Sequence, residues 1–147
     1  MLLRRLLALS LVAFALAACS ESAPTVGEAK DFAEVCSKAN DGRRVAVDGY
    51  LHLPQSFTGD ESVVLRLYET NDFGGTPIGV QIKLGAQANQ VEPVPTHYSN
   101  GDLKVHLSDG QLVKFGTPVK VSGKVYFPLV DQDFDCGLEN PLLEVAN

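Results

Sequence analysis

The residues with the clearest capacity for chemistry are a run of alternating aspartates, three histidines and a few aromatic side chains. Asp131, Asp133 and Asp135 stand at every second position ahead of Cys136, a spacing from which three carboxylates can approach a hard cation. A calcium loop counted from Asp131 needs glycine at its sixth position and glutamate at its twelfth. The chain has Cys136 and Leu142 there, so the run reads as a solvated acidic turn, with weak cation binding as the alternative. His52, His97 and His106 are scattered and show no metal-ligand spacing, and His106 falls on the exposed side of its strand. No Gly-x-Ser-x-Gly elbow, His-Glu-x-x-His pair or phosphate-binding loop occurs. Recognition is therefore favoured over catalysis, with Tyr50, His52, His97 and Tyr98 as candidate contact residues, and no cofactor or resident metal is expected. The competing reading is an enzyme whose residues converge only in the fold, with His97 the first to suspect.

The elements that must position these residues fall into three stretches. Met1–Arg5 carries two positive charges and Leu6–Ala18 is an uncharged run of 13 residues, the pattern of a signal peptide over 1–18 and too short to span a bilayer. Residues 19–24 read as a short polar tether, and 25–147 as one domain. Thr25 and Glu28 have capping-box spacing, and Ala29, Phe32, Ala33, Cys36 and Ala39 recur at helical intervals, which predicts one N-terminal amphipathic helix ended by Asn40-Asp41-Gly42. From Arg43 the period becomes two: Val45, Val47, Leu51 and Leu53 share one face, and Ala46, Asp48, Tyr50 and His52 the other. A hairpin is expected over 62–84, an irregular and Pro-containing stretch over 85–101, a strand over 103–107, a second Val-x-Val-x-Gly strand over 119–127, and a short last strand at Leu142–Val145. The irregular stretch is the first candidate for a contact surface.

The 147-residue chain is 45% hydrophobic and 20% charged, the make-up of one globular domain. Its net charge of −6 becomes −8 once Arg4 and Arg5 leave with the leader, ten basic residues then facing 18 acidic ones. Such a surface repels a phosphate backbone, so nucleic acid is an unlikely partner.

Leu16-Ala17-Ala18-Cys19 resembles the lipobox of bacterial lipoproteins. That resemblance implies a diacylglycerol thioether on the Cys19 thiol, cleavage before Cys19 and acylation of its new amino group, anchoring the protein to membrane lipid through Cys19 and facing the periplasm or cell exterior. Ser20 in place of aspartate slightly favours the outer membrane. Ala15-Leu16-Ala17 also fits the ordinary signal peptidase, which would release a soluble periplasmic protein. With Cys19 given to lipid, Cys36 and Cys136 remain as an even pair in an oxidising compartment, and a disulfide between them is expected, with two buried thiols as the alternative.

Val45-Ala46-Val47-Asp48-Gly49 and Val119-Lys120-Val121-Ser122-Gly123, with a hairpin between them, resemble the first and fourth strands of an OB-fold barrel. Phe115–Gly123 is similar to the turn and strand of the tRNA-anticodon-like OB domains of exported lipoproteins. Comparable motifs occur in β-sandwiches. The resemblance implies a mainly β fold, a small barrel of five to six strands preceded by the helix. OB folds often bind oligonucleotides or oligosaccharides, but the absence of Trp and the outward Ala46, Asp48, Tyr50 and His52 make a poor stacking platform for single-stranded nucleic acid. The expected function is a non-catalytic envelope lipoprotein that binds a periplasmic protein or glycan.

Overall fold

The computed structural model describes residues 21–147. The leader 1–18 and Cys19 lie outside the described residues. Nine strands are present among those described: β1 (Glu28–Ala29), β2 (Arg44–His52), β3 (Ser62–Tyr68), β4 (Ile78–Leu84), β5 (Gln90–Val91), β6 (Lys104–His106), β7 (Leu112–Lys114), β8 (Pro118–Tyr126) and β9 (Gly137–Val145).

Five of these close a barrel. β2 pairs with β3 and β8, β3 with β4, β8 with β9, and the ring is completed where β9 runs parallel to β4 at Gly79–Gly137 and Val80–Leu138. Alternation explains the interior: Val45, Val47, Leu65, Leu67, Val80 and Val121 all point inward and are buried, as period-two strands require when one face meets a core. β2 serves both sides of the barrel, pairing with β8 along Arg44–Tyr50 and with β3 along Tyr50–His52. Gly49 sits at that corner, where an added Cβ would lie 2.6 Å from the Tyr68 carbonyl oxygen; only glycine lets the two backbones approach so closely. The pairing of β8 with β9 shifts register between Ser122 and Lys124. Opposite that shift lie Asn140, in a left-handed conformation at φ 48°, and Pro141, the mark of a bulge.

The 85–117 region is more regular than expected. β5, β6 and β7 form a meander whose Val91, Val105 and Val113 join the barrel core together with Leu103 and Leu107. The last strand is also longer than expected, nine residues from Gly137.

The N-terminal helix is not formed: no α-helix occurs among the described residues. Residues 27–30 instead run alongside β2, with Glu28 opposite Val45 and the Lys30 amide donating to the Ala46 carbonyl. The chain then makes two short 3-10 turns, Phe32–Glu34 and Lys38–Asn40. The physical reason is that the helical pattern rested largely on Ala29, Ala33 and Ala39. All three are exposed, so a helix would gain little from burying that stripe. Val35 is buried, Phe32 packs on the core, and Cys36 is held to Cys136 by a disulfide with Cα atoms 5.4 Å apart. The bond joins the N-terminal crossing to the residue just before β9, and Lys38 rests over the Phe127 ring, 3.6 Å from its centroid.

Candidate functional site

β2 ends at His52, and the chain leaving it forms a surface recess of about 390 Å³ with the 96–100 segment. Its walls are Leu53, Pro54 and Gln55 on one side and Thr96, His97, Tyr98, Ser99 and Asn100 on the other. Two cross-links fix this geometry: the Tyr98 hydroxyl donates to the Pro54 carbonyl at 2.5 Å, and the Leu53 amide donates to Asn100 Oδ1 at 2.8 Å. A capping box of Ser99 and Asp102 sets the turn that carries Asn100, and Phe57 packs edge-on against Tyr98 at 5.9 Å. Desolvation pushes the Tyr98 phenol above its ordinary pKa, so it stays a neutral donor. His97 is exposed at the rim. Among the described residues, no carboxylate, ammonium or guanidinium lines the recess. It offers amide, hydroxyl and imidazole groups around a small apolar floor, which suits a neutral, hydroxyl-bearing ligand.

No protein family, characterised protein or solved structure matches the chain. Its chemistry therefore has to be read from its own geometry.

The four candidate contact residues do not form one site. His97 and Tyr98 share the recess, whereas Tyr50 pairs with Tyr68 across β2 and β3. His52 does not face solvent as its place on the outward side of the strand suggested: it is fully buried. The reason is a cover that the strand pattern does not encode. Residues 69–76, between β3 and β4, fold back with Phe73 4.2 Å from the imidazole, while Tyr68 and Phe115 pack at 4.7 and 5.0 Å. His52 Nε2 lies 3.3 Å from Asn71 Oδ1, and Nδ1 is buried with no hydrogen-bond partner. Desolvation pushes the His52 pKa below the usual imidazole value, more than the Asn71 hydrogen bond raises it.

His106, on β6, meets a carboxylate, Glu92, at 3.5 Å. That separation makes an ion pair when the ring is protonated but is not a hydrogen bond, since Nε2 otherwise has no partner. The aspartates do not converge, and among the described residues no group of three His, Cys, Asp or Glu side chains could hold a metal. Asp133 instead pairs with Arg66 at 2.7 Å, which holds its carboxyl below the ordinary carboxylate range. Arg66 in turn lies over Phe134, 4.9 Å from the ring centroid.

Asn71, Gln55 and Asn100 escaped the sequence reading as functional residues. Asn100 and Asn71 carried a signal, because the Asn100-Gly101 pair and the run from Asn71 to Gly75 mark turns; Gln55 carried none.

Proposed function

We propose that this chain is a non-catalytic, lipid-anchored module of the bacterial cell envelope that binds a neutral glycan in the recess between Gln55 and His97. The observation that carries the reading is the recess itself, a surface recess with uncharged hydrogen-bonding walls held by two hydrogen bonds on a chain whose mature charge is −8. A charged ligand would find no counter-charge there, while the hydroxyls of a sugar would find both donors and acceptors.

The anchor rests on the lipobox and on cysteine use. With Cys36 joined to Cys136, Cys19 is the remaining cysteine of the three in the sequence, and it stands at the leader junction. Several acyl chains there would hold the domain durably, at roughly 0.8 kcal/mol for each buried methylene.

The barrel is read as an OB fold. Val45–Gly49 and Val119–Gly123 belong to the first and fourth of its five strands in chain order and pair with each other. OB folds recognise ligands with the face of strands two and three and with the loops after strands one and four. Here the loop after strand one supplies Leu53, Pro54 and Gln55 to the recess. The loop after strand four instead packs Phe134 against Gly79 of β4, so part of the strand two and three face is covered.

Two measurements test the proposal. Mass spectrometry of the native protein should find acyl chains on Cys19, and an unmodified thiol or a different N-terminus would refute the anchor. Calorimetric titration of the lipid-free domain with chitotriose should show saturable binding that His97→Ala and Gln55→Ala weaken at least fivefold. No binding, or binding indifferent to both substitutions, would refute the recess.

A further inference from the structure

The 69–76 loop has very little holding it down. Every residue from Glu69 to Thr76 is exposed, and its internal bonds are local: Asp72 Oδ1 accepts from the Thr70 hydroxyl and from the Gly74 amide. Among the described residues, its one hydrogen bond to another element is that between Asn71 Oδ1 and His52 Nε2. The remaining attachment is Phe73, itself 54% exposed and held at φ 63°, with its ring against His52 and Tyr68.

We infer that His52 is an acid-sensitive latch: neutral, it holds the 69–76 loop over the aromatic cluster, and protonated, it releases the loop and uncovers Tyr68 and Phe115. With Oδ1 of Asn71 as acceptor, Nε2 carries the hydrogen and Nδ1 is a bare acceptor. A second proton must enter at Nδ1, which is buried and has no acceptor within reach. An imidazolium N–H without a partner there carries the full desolvation cost of a buried charge, and the way to relieve it is to let water in by lifting the loop.

The surrounding groups offer the cation no rescue. Arg66, the register partner of His52 on β3, is itself positive and engaged with Asp133. Asp72 is used within its own turn. Glu69 and Lys114, the sequence neighbours of Tyr68 and Phe115, are both exposed. Tyr68 and Phe115 contribute rings, and among the described residues no carboxylate hydrogen-bonds the imidazole. Asn71 is already an acceptor for Nε2 and has no second contact with the ring.

The size of the response follows from linkage. Because burial lowers the imidazole pKa only while the loop is closed, the opening equilibrium rises as pH falls below the ordinary imidazole value of about 6.5, by no more than about tenfold for each pH unit. Sign and window agree: the latch is fully closed above pH 6.5 and weakens as pH falls from there toward the depressed folded value. An exported domain that meets the acidity of its surroundings would feel this range directly.

Proton NMR of the wild-type protein at pH 7.5 and pH 5 tests the idea. Through-space contacts between the Phe73 and Tyr68 rings should be lost at pH 5, while those between β8 and β9 stay unchanged. In parallel, the His52 ring signals should titrate below those of a free imidazole in proton NMR. His52→Phe keeps a ring in the cluster but cannot titrate, and its loop should be pH-independent. Should that variant fail to fold, Asn71→Ala, which leaves the imidazole in place, should show an open loop already at pH 7.5. Unchanged Phe73–Tyr68 contacts in the wild-type protein at pH 5 would overturn the latch. So would an equal loss in His52→Phe, or a His52 that titrates at 6.5 or above.

Discussion

Reducing the Cys36–Cys136 disulfide should cost this domain a large share of its stability. The two cysteines are 100 residues apart, and a cross-link closing a loop of that length removes chain entropy from the unfolded state worth about 4.7 kcal/mol at 25 °C. A domain of this size has roughly 6 to 19 kcal/mol in total, so between a quarter and three quarters of it is at stake. The assay is urea unfolding followed by tyrosine fluorescence, with and without reductant, alongside a Cys36→Ala/Cys136→Ala variant. With a urea slope near 2 kcal/mol/M, the midpoint should fall by about 2 M on reduction. The slope should also steepen, because the open unfolded chain exposes more surface than the cross-linked one. The alanine variant should fall further than the reduced wild type, since Cys136 is wholly buried and its sulfur fills core volume. A midpoint that moves by less than about 0.5 M, with an unchanged slope, would refute the reasoning and would mean that the unfolded chain already keeps the two segments together.

Three further outcomes follow from single contacts. Gly79→Ala would place a Cβ 2.8 Å from Phe134 Cε2, and the ring must shift; a loss of about 1–3 kcal/mol in thermal or urea unfolding is expected, with an unchanged Tm the contrary result. Tyr98→Phe removes the hydrogen bond to the Pro54 carbonyl and should lower stability by about 0.5–1.5 kcal/mol, while chitotriose binding falls because the recess wall loosens; calorimetry reads both. Asp133 has its folded pKa lowered by Arg66, so its contribution is complete above its ordinary value of about 3.8 and is lost as pH falls below that. Because its side chain is 57% exposed, the effect should stay near 0.5 kcal/mol, and the stability-versus-pH curve of Asp133→Asn should be flatter between pH 4 and 2.

The barrel was legible wherever burial followed a simple period. Val45, Val47, Val119 and Val121 alternate so strictly that both strands, and the glycines within them, could be placed from the residues alone, and the hairpin over 62–84 lies where the pattern put it. What failed was a periodicity with little area behind it. A stripe of three alanines mimics a helix on paper, but a two-residue strand beside Val45 and a disulfide at Cys36 decide the path of that segment. β9 was underestimated because Asn140 and Pro141 interrupt its pattern, and only in three dimensions are they a bulge opposite Gly123. His52 shows the limit most clearly. Its position on the outward face of β2 was right, but the face is covered by a loop 17 to 24 residues later in the chain, and nothing in the local pattern of β2 announces that cover. The recess was half legible: the irregular stretch pointed to His97 and Tyr98, whereas Gln55, across the gap, became visible only when the Tyr98 hydroxyl was found on Pro54.

The place of β9 has a consequence for how the molecule comes into being. The final strand stands between β8 and β4, so a chain emerging from the ribosome amino end first possesses every other barrel strand and still has a gap in the ring. Cys136, the second half of the covalent staple, directly precedes β9 and so follows every other barrel strand. Closure of the ring and closure of the disulfide therefore wait for the same segment, the last of the barrel to be made. A premature stop anywhere after β8 would leave an unclosed sheet with two bare edges, a product suited to degradation and not to a partly working domain.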